Sequence, residues 1–125
     1  MILKDNLYTV AAIDREGLRA DIALCPGCII YEAHFPGSPV TPGVCIVQAA
    51  VELLGLLLGC GCTLVEVSGA KFLHVISPQD MPRVSYVFTG TEFSEGGSLV
   101  KACVAVTEPV GGKTCAKLSI LCRAS

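Results

Sequence analysis

The chain has 125 residues, room for one domain with a real core, and 52% of it is hydrophobic against 16% charged, which excludes intrinsic disorder. Its formal net charge is −2, with no block of like charges, so a nucleic-acid partner, which needs a basic stripe for phosphates, is excluded. The apolar surplus is also high for a free monomer and points to a second subunit covering part of the surface.

The opening "MILKDNLYTV" lacks a positive segment followed by an apolar one, so no signal peptide is expected. Leu7 to Ile13 is a β-rich run. Leu18, Ala20, Ile22 and Leu24 then alternate with Arg19 and Asp21, the period of a half-buried strand. "DREG" (Asp14 to Gly17) turns one run into the other, making a hairpin. "AHFPGSPVTPGV", residues 33 to 44, follows as a stiff loop with three prolines, two glycines and a histidine.

"CIVQAAVELLGLLLG" comes next and reads as a helix. Thr41 suits its N-cap, Pro42 its first position, and "GCGC" (Gly59 to Cys62) ends it. The apolar run Val44 to Leu58 is shorter than the roughly 20 residues that cross a bilayer, and it holds Gln48 and Glu52. It is therefore a core helix, and a soluble cytoplasmic protein with no membrane partner is expected. A helix apolar on nearly every side must be surrounded. Thr41, Cys45, Gln48 and Glu52 step by three or four and form one stripe along it.

Four extended segments complete the chain: Leu64 to Ile76, Arg83 to Phe93, Ser98 to Thr107 and Lys113 to Cys122. Val84, Tyr86 and Phe88 share one face, as do Ala116, Leu118, Ile120 and Cys122. "SPQDMP", "SEGG" and "EPVGG" supply the turns. Two strands, a buried helix and four strands joined by hairpin turns make an α+β fold. One domain, residues 1–125, is expected, with a curved, mostly antiparallel sheet wrapped around one long helix.

Eight cysteines raise metal and disulfide chemistry. Cys25 and Cys28 have CxxC spacing, but "CGC" (Cys60, Cys62) is a poorer chelate and neither histidine lies beside a ligand knuckle. The CxxC precedes a Pro-rich loop instead of opening a helix in a βαβ unit, which argues against a redox motif. Reduced structural thiols and no metal site are expected. Cys45, Cys103, Cys115 and Cys122 sit in apolar patterns, where free cysteine behaves as a small hydrophobe.

"HFPGSPVTPGV", with the apolar helix behind it, resembles the signature of the hot-dog-fold 3-hydroxyacyl-[acyl-carrier-protein] dehydratases. "GAKFLHVISPQDMPRVSYVFTG" is similar to the third strand, turn and fourth strand of that family. The resemblance covers about residues 5 to 123. It implies a hot-dog fold and removal of water from a 3-hydroxyacyl thioester, giving a trans-2-enoyl thioester, in fatty acid or related acyl-chain biosynthesis. That reaction needs a base for the C2 proton, an acid for the departing hydroxyl, and donors that polarise the thioester carbonyl. By resemblance His34 is the base, and the backbone N–H of Gly43, with that of Val44, polarises the carbonyl at the positive end of the helix. Phe35 joins them in the substrate pocket, while Pro39 and Pro42 stiffen the loop.

The resemblance also implies partners. The substrate rides on the phosphopantetheine of an acyl carrier protein, and no other cofactor, metal or nucleotide is implied. Each active site is built from two subunits, in a homodimer or higher hot-dog oligomer or in a heterodimer with a related chain. An acidic carrier needs a basic patch, for which Lys71, Arg83, Lys101, Lys113 and Lys117 are candidates. His74, placed on a strand face with Phe72 and Ile76, reads as a packing or surface residue.

One position departs from the family's pattern. The family carries an acid on the helix and a glutamine one turn later; here Gln48 holds the acid's position and Glu52 lies at or near the glutamine's. Glutamine donates and accepts hydrogen bonds but releases no proton. Three readings follow: Glu52 serves as the acid, kept protonated among leucines; His34 handles both proton transfers while Gln48 holds the hydroxyl; or the chain is a catalytically weak scaffold or partner subunit. Simple hydrogen bonding of Gln48 and Glu52 to each other in the core is the rival to all three, disfavoured by their shared stripe. A hot-dog acyl thioesterase using Glu52 is the alternative activity, although the HFPG string argues against it.

Overall fold

The computed structural model describes residues 2–34 and 37–125; Phe35, assigned above to the substrate pocket, lies outside them. Strands β1 (Tyr8–Asp14) and β2 (Arg19–Leu24) form the expected hairpin, followed by α1 (Ile29–Ala33) and α2 (Gly43–Leu58). Strands β3 (Cys62–Phe72), β4 (Arg83–Phe93), β5 (Leu99–Thr107) and β6 (Thr114–Ala124) complete the chain. The strands form one sheet in the order β1-β2-β4-β5-β6-β3, with every neighbour antiparallel. Strand β3 leaves α2 for the far edge of the sheet, and β4 returns to pair with β2.

Alternation sets the core. Ile22 on β2, Val84, Tyr86 and Phe88 on β4, Val104 on β5, and Leu118 and Ile120 on β6 are all buried. Against them pack Ile46, Ala50, Leu53, Leu54 and Leu57 of α2, also buried. Register irregularities within β1, β3 and β4 bend the sheet. Tyr86 ties sheet to helix, its hydroxyl donating to the Ile46 carbonyl at 3.1 Å. This is the expected α+β arrangement of a curved antiparallel sheet around a long buried helix.

Four expectations need correction. Thr41 is not the N-cap: Pro42 holds that position in extended backbone and α2 starts at Gly43, because the Thr41 hydroxyl bonds to Tyr31 instead, at 2.9 Å. The short helix α1 precedes the Pro/Gly loop and was not expected, since five residues are too few to show a helical period. Strand β3 ends at Phe72, so His74 shares no strand face with Phe72 and Ile76. The N–H groups of Leu73 and His74 both turn to the Cys115 carbonyl, at 2.7 and 3.1 Å, which breaks the alternation and leaves His74 exposed and Ile76 buried. Finally, Cys45, Cys115 and Cys122 are buried but Cys103 is exposed, because it stands opposite Thr89 and Ser119 on the outer face of the sheet.

The residues before β1 are more than a tail. Leu3 and Leu7, with Tyr8 at the start of β1, are each 1% exposed or less and close the core beside the middle of α2.

Two measurements check this packing. A Cβ at Gly55 would stand 2.8 Å from the Cys60 carbonyl oxygen. Gly55→Ala gains about 1 kcal/mol of helix propensity but meets a backbone contact costing about 1–3 kcal/mol. A net loss of about 1 kcal/mol is expected in urea denaturation, and a gain would show that the turn after α2 yields. Alkaline pH gives the second. Burial raises Tyr31 to about 12. Burial, followed by the hydrogen bond and charge of Glu52, raises Tyr8, and burial raises Tyr86. Each phenol holds its proton more tightly folded than unfolded, so its contribution is intact below the unfolded value of 10.0 and declines as pH rises toward the folded value. Stability should fall above pH 10 by about 1.4 kcal/mol per pH unit per phenol, and Tyr8→Phe should make that fall shallower.

Candidate functional site

The loop that carries the histidine is closed by one buried bond. Helix α1 ends at His34, whose backbone N–H returns to the Ile30 carbonyl at 3.1 Å. One turn earlier, buried Tyr31 meets buried Thr41 through their hydroxyls. Because burial raises Tyr31 above the usual phenol range, the phenol stays protonated and available to this bond. The contact joins Tyr31, three residues before His34, to Thr41, two residues before the start of α2. The His34 side chain is exposed, and no hydrogen bond or ion pair joins it to Glu52 among the described residues.

At the start of α2, the N–H groups of Cys45 and Ile46 turn back to the Pro42 carbonyl at 3.0 and 3.1 Å. Those of Gly43 and Val44 meet no acceptor among the described residues, as the first turn of a helix dictates. They carry the positive end of the helix dipole. A cavity of about 250 Å³ opens beside them, lined by Thr41, Gly43, Ile46, Phe72 and His74 among others. The Phe72 ring lies so close that a Cβ at Gly43 would stand 3.0 Å from its Cζ; glycine is what lets the ring rest on the helix start. The structure thus joins Gly43, but not Val44, to a cavity, and places His74, read above as packing or surface, on its wall.

Cys45, Gln48 and Glu52 do share a helix face, with Cys45 buried and the other two half-buried. Glu52 is heavily engaged there. One oxygen accepts from the Leu3 N–H at 2.8 Å and the Gln48 amide at 3.0 Å. The other accepts from the Lys4 N–H and the Tyr8 hydroxyl, both at 2.8 Å. Three of these four donors can only donate, and both carboxylate oxygens are used. The arrangement suits a carboxylate holding acceptor bonds and leaves no direction for a proton to leave toward substrate. Gln48 and Glu52 do bond to each other, the outcome disfavoured from sequence. Sequence reasoning also missed Tyr8, Tyr31 and the segment before β1, whose only signals were two leucines and a tyrosine spaced along "LKDNLY".

The comparisons with known proteins agree with this architecture. The ApeI-like family model, described as ApeI dehydratase, matches residues 11–94, from β1 through the histidine loop and α2 to β4. A 3-hydroxyacyl-[acyl-carrier-protein] dehydratase FabZ from Protochlamydia amoebophila is 30% identical over 89 residues, covering 66% of this chain and 56% of that protein. The FabZ of Ruegeria sp. is 33% identical over 60 residues, covering 41% of this chain and 38% of that protein. The chain thus aligns with roughly half or less of the length of these curated relatives. Among solved structures, the dehydratase heterocomplex ApeI:P from Xenorhabdus doucetiae superposes with a TM-score of 0.61 at 20% identity, covering 93% of this chain and 98% of that one. A hypothetical thioesterase protein with coenzyme A from Streptococcus pneumoniae superposes at 0.60 with 11% identity, covering 94% and 85%; at such identities both establish the fold alone. The signature loop, the buried helix and strands β2, β3 and β4 lie within the matched stretch: the chain belongs to the ApeI-like dehydratase family and has the hot-dog fold.

Proposed function

We propose that this chain removes water from a 3-hydroxyacyl thioester carried on acyl carrier protein. The observation that carries the reading is the start of α2. The Gly43 and Val44 N–H groups meet no acceptor among the described residues, Gly43 lines a cavity, and the other arm of the loop ends in an exposed histidine. A thioester carbonyl placed on the Gly43 and Val44 N–H groups is polarised there, and the enolate oxygen that develops meets the positive helix end. His34 takes the C2 proton; the electron pair forms the C2–C3 double bond and the C3 hydroxyl leaves. The protonated imidazole returns its proton to that hydroxyl, so water departs and His34 is reset. Gln48 holds the hydroxyl, and Glu52, engaged by four donors, orients the Gln48 amide without giving a proton.

The site is completed by a second subunit. Strand β3 lies at an open sheet edge and is eleven residues long, with Val65, Val67 and Phe72 exposed and Leu73, Val75 and Val44 exposed nearby. An edge this long and apolar needs a partner. A homodimer through β3 is proposed, with a related chain as the other candidate. The occupation of Glu52 favours one second reading, a catalytically weak partner subunit.

The deciding experiment incubates purified protein with 3-hydroxyacyl and trans-2-enoyl carrier thioesters and follows products by mass spectrometry. An enoyl thioester with its thioester bond intact is expected; a free acid with free thiol means a thioesterase, and carrier binding without turnover means the partner subunit. His34→Ala should lower turnover at least about 100-fold with an unchanged melting curve; full turnover would remove His34 from the reaction. In Glu52→Gln an NH2 group must face two donors, so a loss of about 2–3 kcal/mol is expected in chemical denaturation. A loss below 0.5 kcal/mol, on the order of a neutral surface change, would show the network to be slack. Light scattering should give a dimer that Val67→Lys dissociates, with turnover lost in parallel; a wild-type monomer with full activity overturns the two-subunit site.

A further inference from the structure

The far end of α2 carries a pair of cysteines that the candidate site at its start does not use. Gly59 ends the helix at φ 73°, and the Cys60 N–H turns back to the Gly55 carbonyl at 3.0 Å. Cys62 begins β3 and pairs with Ala124 of β6. Between them, the Gly61 carbonyl accepts from the Ser125 N–H at 3.0 Å and from its hydroxyl at 3.4 Å. Each residue of "CGC" is therefore anchored through its backbone, and the fold sets how the two thiols stand to each other.

The thiols share one space. Cys60 and Cys62 both line a cavity of about 460 Å³, together with Val51, Gly55 and Leu56 of α2. Both are half-buried and unbridged, whereas Cys45, Cys115 and Cys122 are buried. Cα atoms two residues apart lie about 6.6 Å from each other in fully extended chain, and the bend at Cys60 brings these closer. A disulfide spans roughly 4.4–6.8 Å between Cα atoms, so the pair is within bridging range. The thiols are unequal. Burial, then the charges of Cys60 and Cys122 and a hydrogen bond with Cys60, push the Cys62 thiol up to about 12. Cys25 and Cys28 are half-buried too, but no hydrogen bond joins their thiols among the described residues.

We propose that Cys60 and Cys62 form a thiol–disulfide exchange site whose substrate is a low-molecular-weight disulfide. The proposal does not depend on the dehydratase reading. The thiolate is the nucleophile in such exchange, and Cys62 holds its proton tightly, so Cys60 attacks first. Its sulfur bonds to one sulfur of the small disulfide, the S–S bond breaks, and one small thiolate leaves and takes up the proton that Cys60 lost. A mixed disulfide then stands on Cys60. Cys62 gives up its proton and attacks the Cys60 sulfur, and the second small thiolate leaves and is protonated in turn. Two electrons have passed from the dithiol to the small disulfide, leaving a Cys60–Cys62 bond and two small thiols. The second attack is intramolecular between anchored neighbours, which offsets the weak acidity of Cys62. The proposed subunit contact runs along the β3 edge, and Cys60 lies before the first residue of that strand.

The test uses the full chain, reduced and freed of reductant, with glutathione disulfide as the probe. Remaining thiols are alkylated and the products mapped by mass spectrometry. The wild type should lose two hydrogens and yield a Cys60–Cys62 link, which excess reduced glutathione reverses. Cys62→Ser should stop at a glutathione mixed disulfide on Cys60. Cys60→Ser should take up glutathione at Cys62 at least about tenfold more slowly than Cys62→Ser does at Cys60. Cys60→Ala and Cys62→Ala replace the serine variants should a melting curve show that serine disturbs the fold. The site is overturned if both thiols of the wild type stay free under excess glutathione disulfide, or if the link that forms is Cys62–Cys122 or Cys25–Cys28. Equal adduct rates in the two single variants overturn the assignment of Cys60 as the attacking thiol.

Discussion

Burial of α2 is the constraint on which the rest of the structure depends. A sixteen-residue helix with ten buried positions cannot rest on a flat sheet with one face in water. The sheet must bend around it, and the irregular registers of β1, β3 and β4 provide that bend. The end left open is closed by Leu3 and Leu7 of the segment before β1, with Tyr8 at the start of that strand. Encasing the helix leaves few places for polar groups, so each one on it needs a specific partner. Its first turn keeps two N–H groups without an acceptor among the described residues, that of Gly43 beside a cavity, and its middle carries the Gln48–Glu52 pair.

That pair shows how a structural need redirects a side chain. Two consecutive backbone N–H groups, of Leu3 and Lys4, arrive at the middle of α2 where a carboxylate can accept both, with the Tyr8 hydroxyl beside them. An amide there has one acceptor oxygen for four donors and fails. The acid therefore belongs at position 52 for as long as the segment before β1 packs here, and Gln48, one turn earlier, becomes the residue that hangs from it. The departure from the family's order of acid and glutamine has a physical cause within this chain. It also accounts for the proposed division of labour, in which a histidine moves protons and the helix pair only positions.

The sequence was most informative where one pattern dominated. Alternation in "RADIAL", "VSYVF" and "AKLSILC" made the strands and their buried faces legible, and the apolar run marked the core helix because no other segment could need so much cover. The loop string made the family legible. What stayed hidden depends on contacts between distant residues. Thr41 has the composition of an N-cap, and only the phenol of Tyr31, ten positions away, decides against it. Glu52 reads as a proton donor from its apolar neighbours, while its four donors come from residues 44 to 49 positions earlier and from one helical turn. His74 follows the alternation of β3 on paper, but two N–H groups turning to one carbonyl of β6 end the strand before it. Cys103 looks apolar from its neighbours, and its register against Thr89 and Ser119 turns it outward.

Strand β3 is where these separate features meet. Its edge carries valines toward solvent with no strand beyond them. Its residue Phe72 covers the helix start so closely that a Cβ at position 43 would push the ring back. The outward neighbour of that residue, Lys71, makes the one like-charged pair in the registered sheet. A strand exposes its two faces and its edge independently, since alternate side chains point to opposite sides and the edge offers only backbone. The proposed subunit contact and the shaping of the proposed site can therefore reside on one strand without competing for the same atoms. They remain mechanically coupled through its backbone. A shift in the β3 register would reverse which face Phe72 and Lys71 occupy, removing the ring from Gly43 and turning a lysine toward the core in one step. The long antiparallel pairing with β6, from Cys62–Ala124 to Phe72–Ala116, is what holds that register.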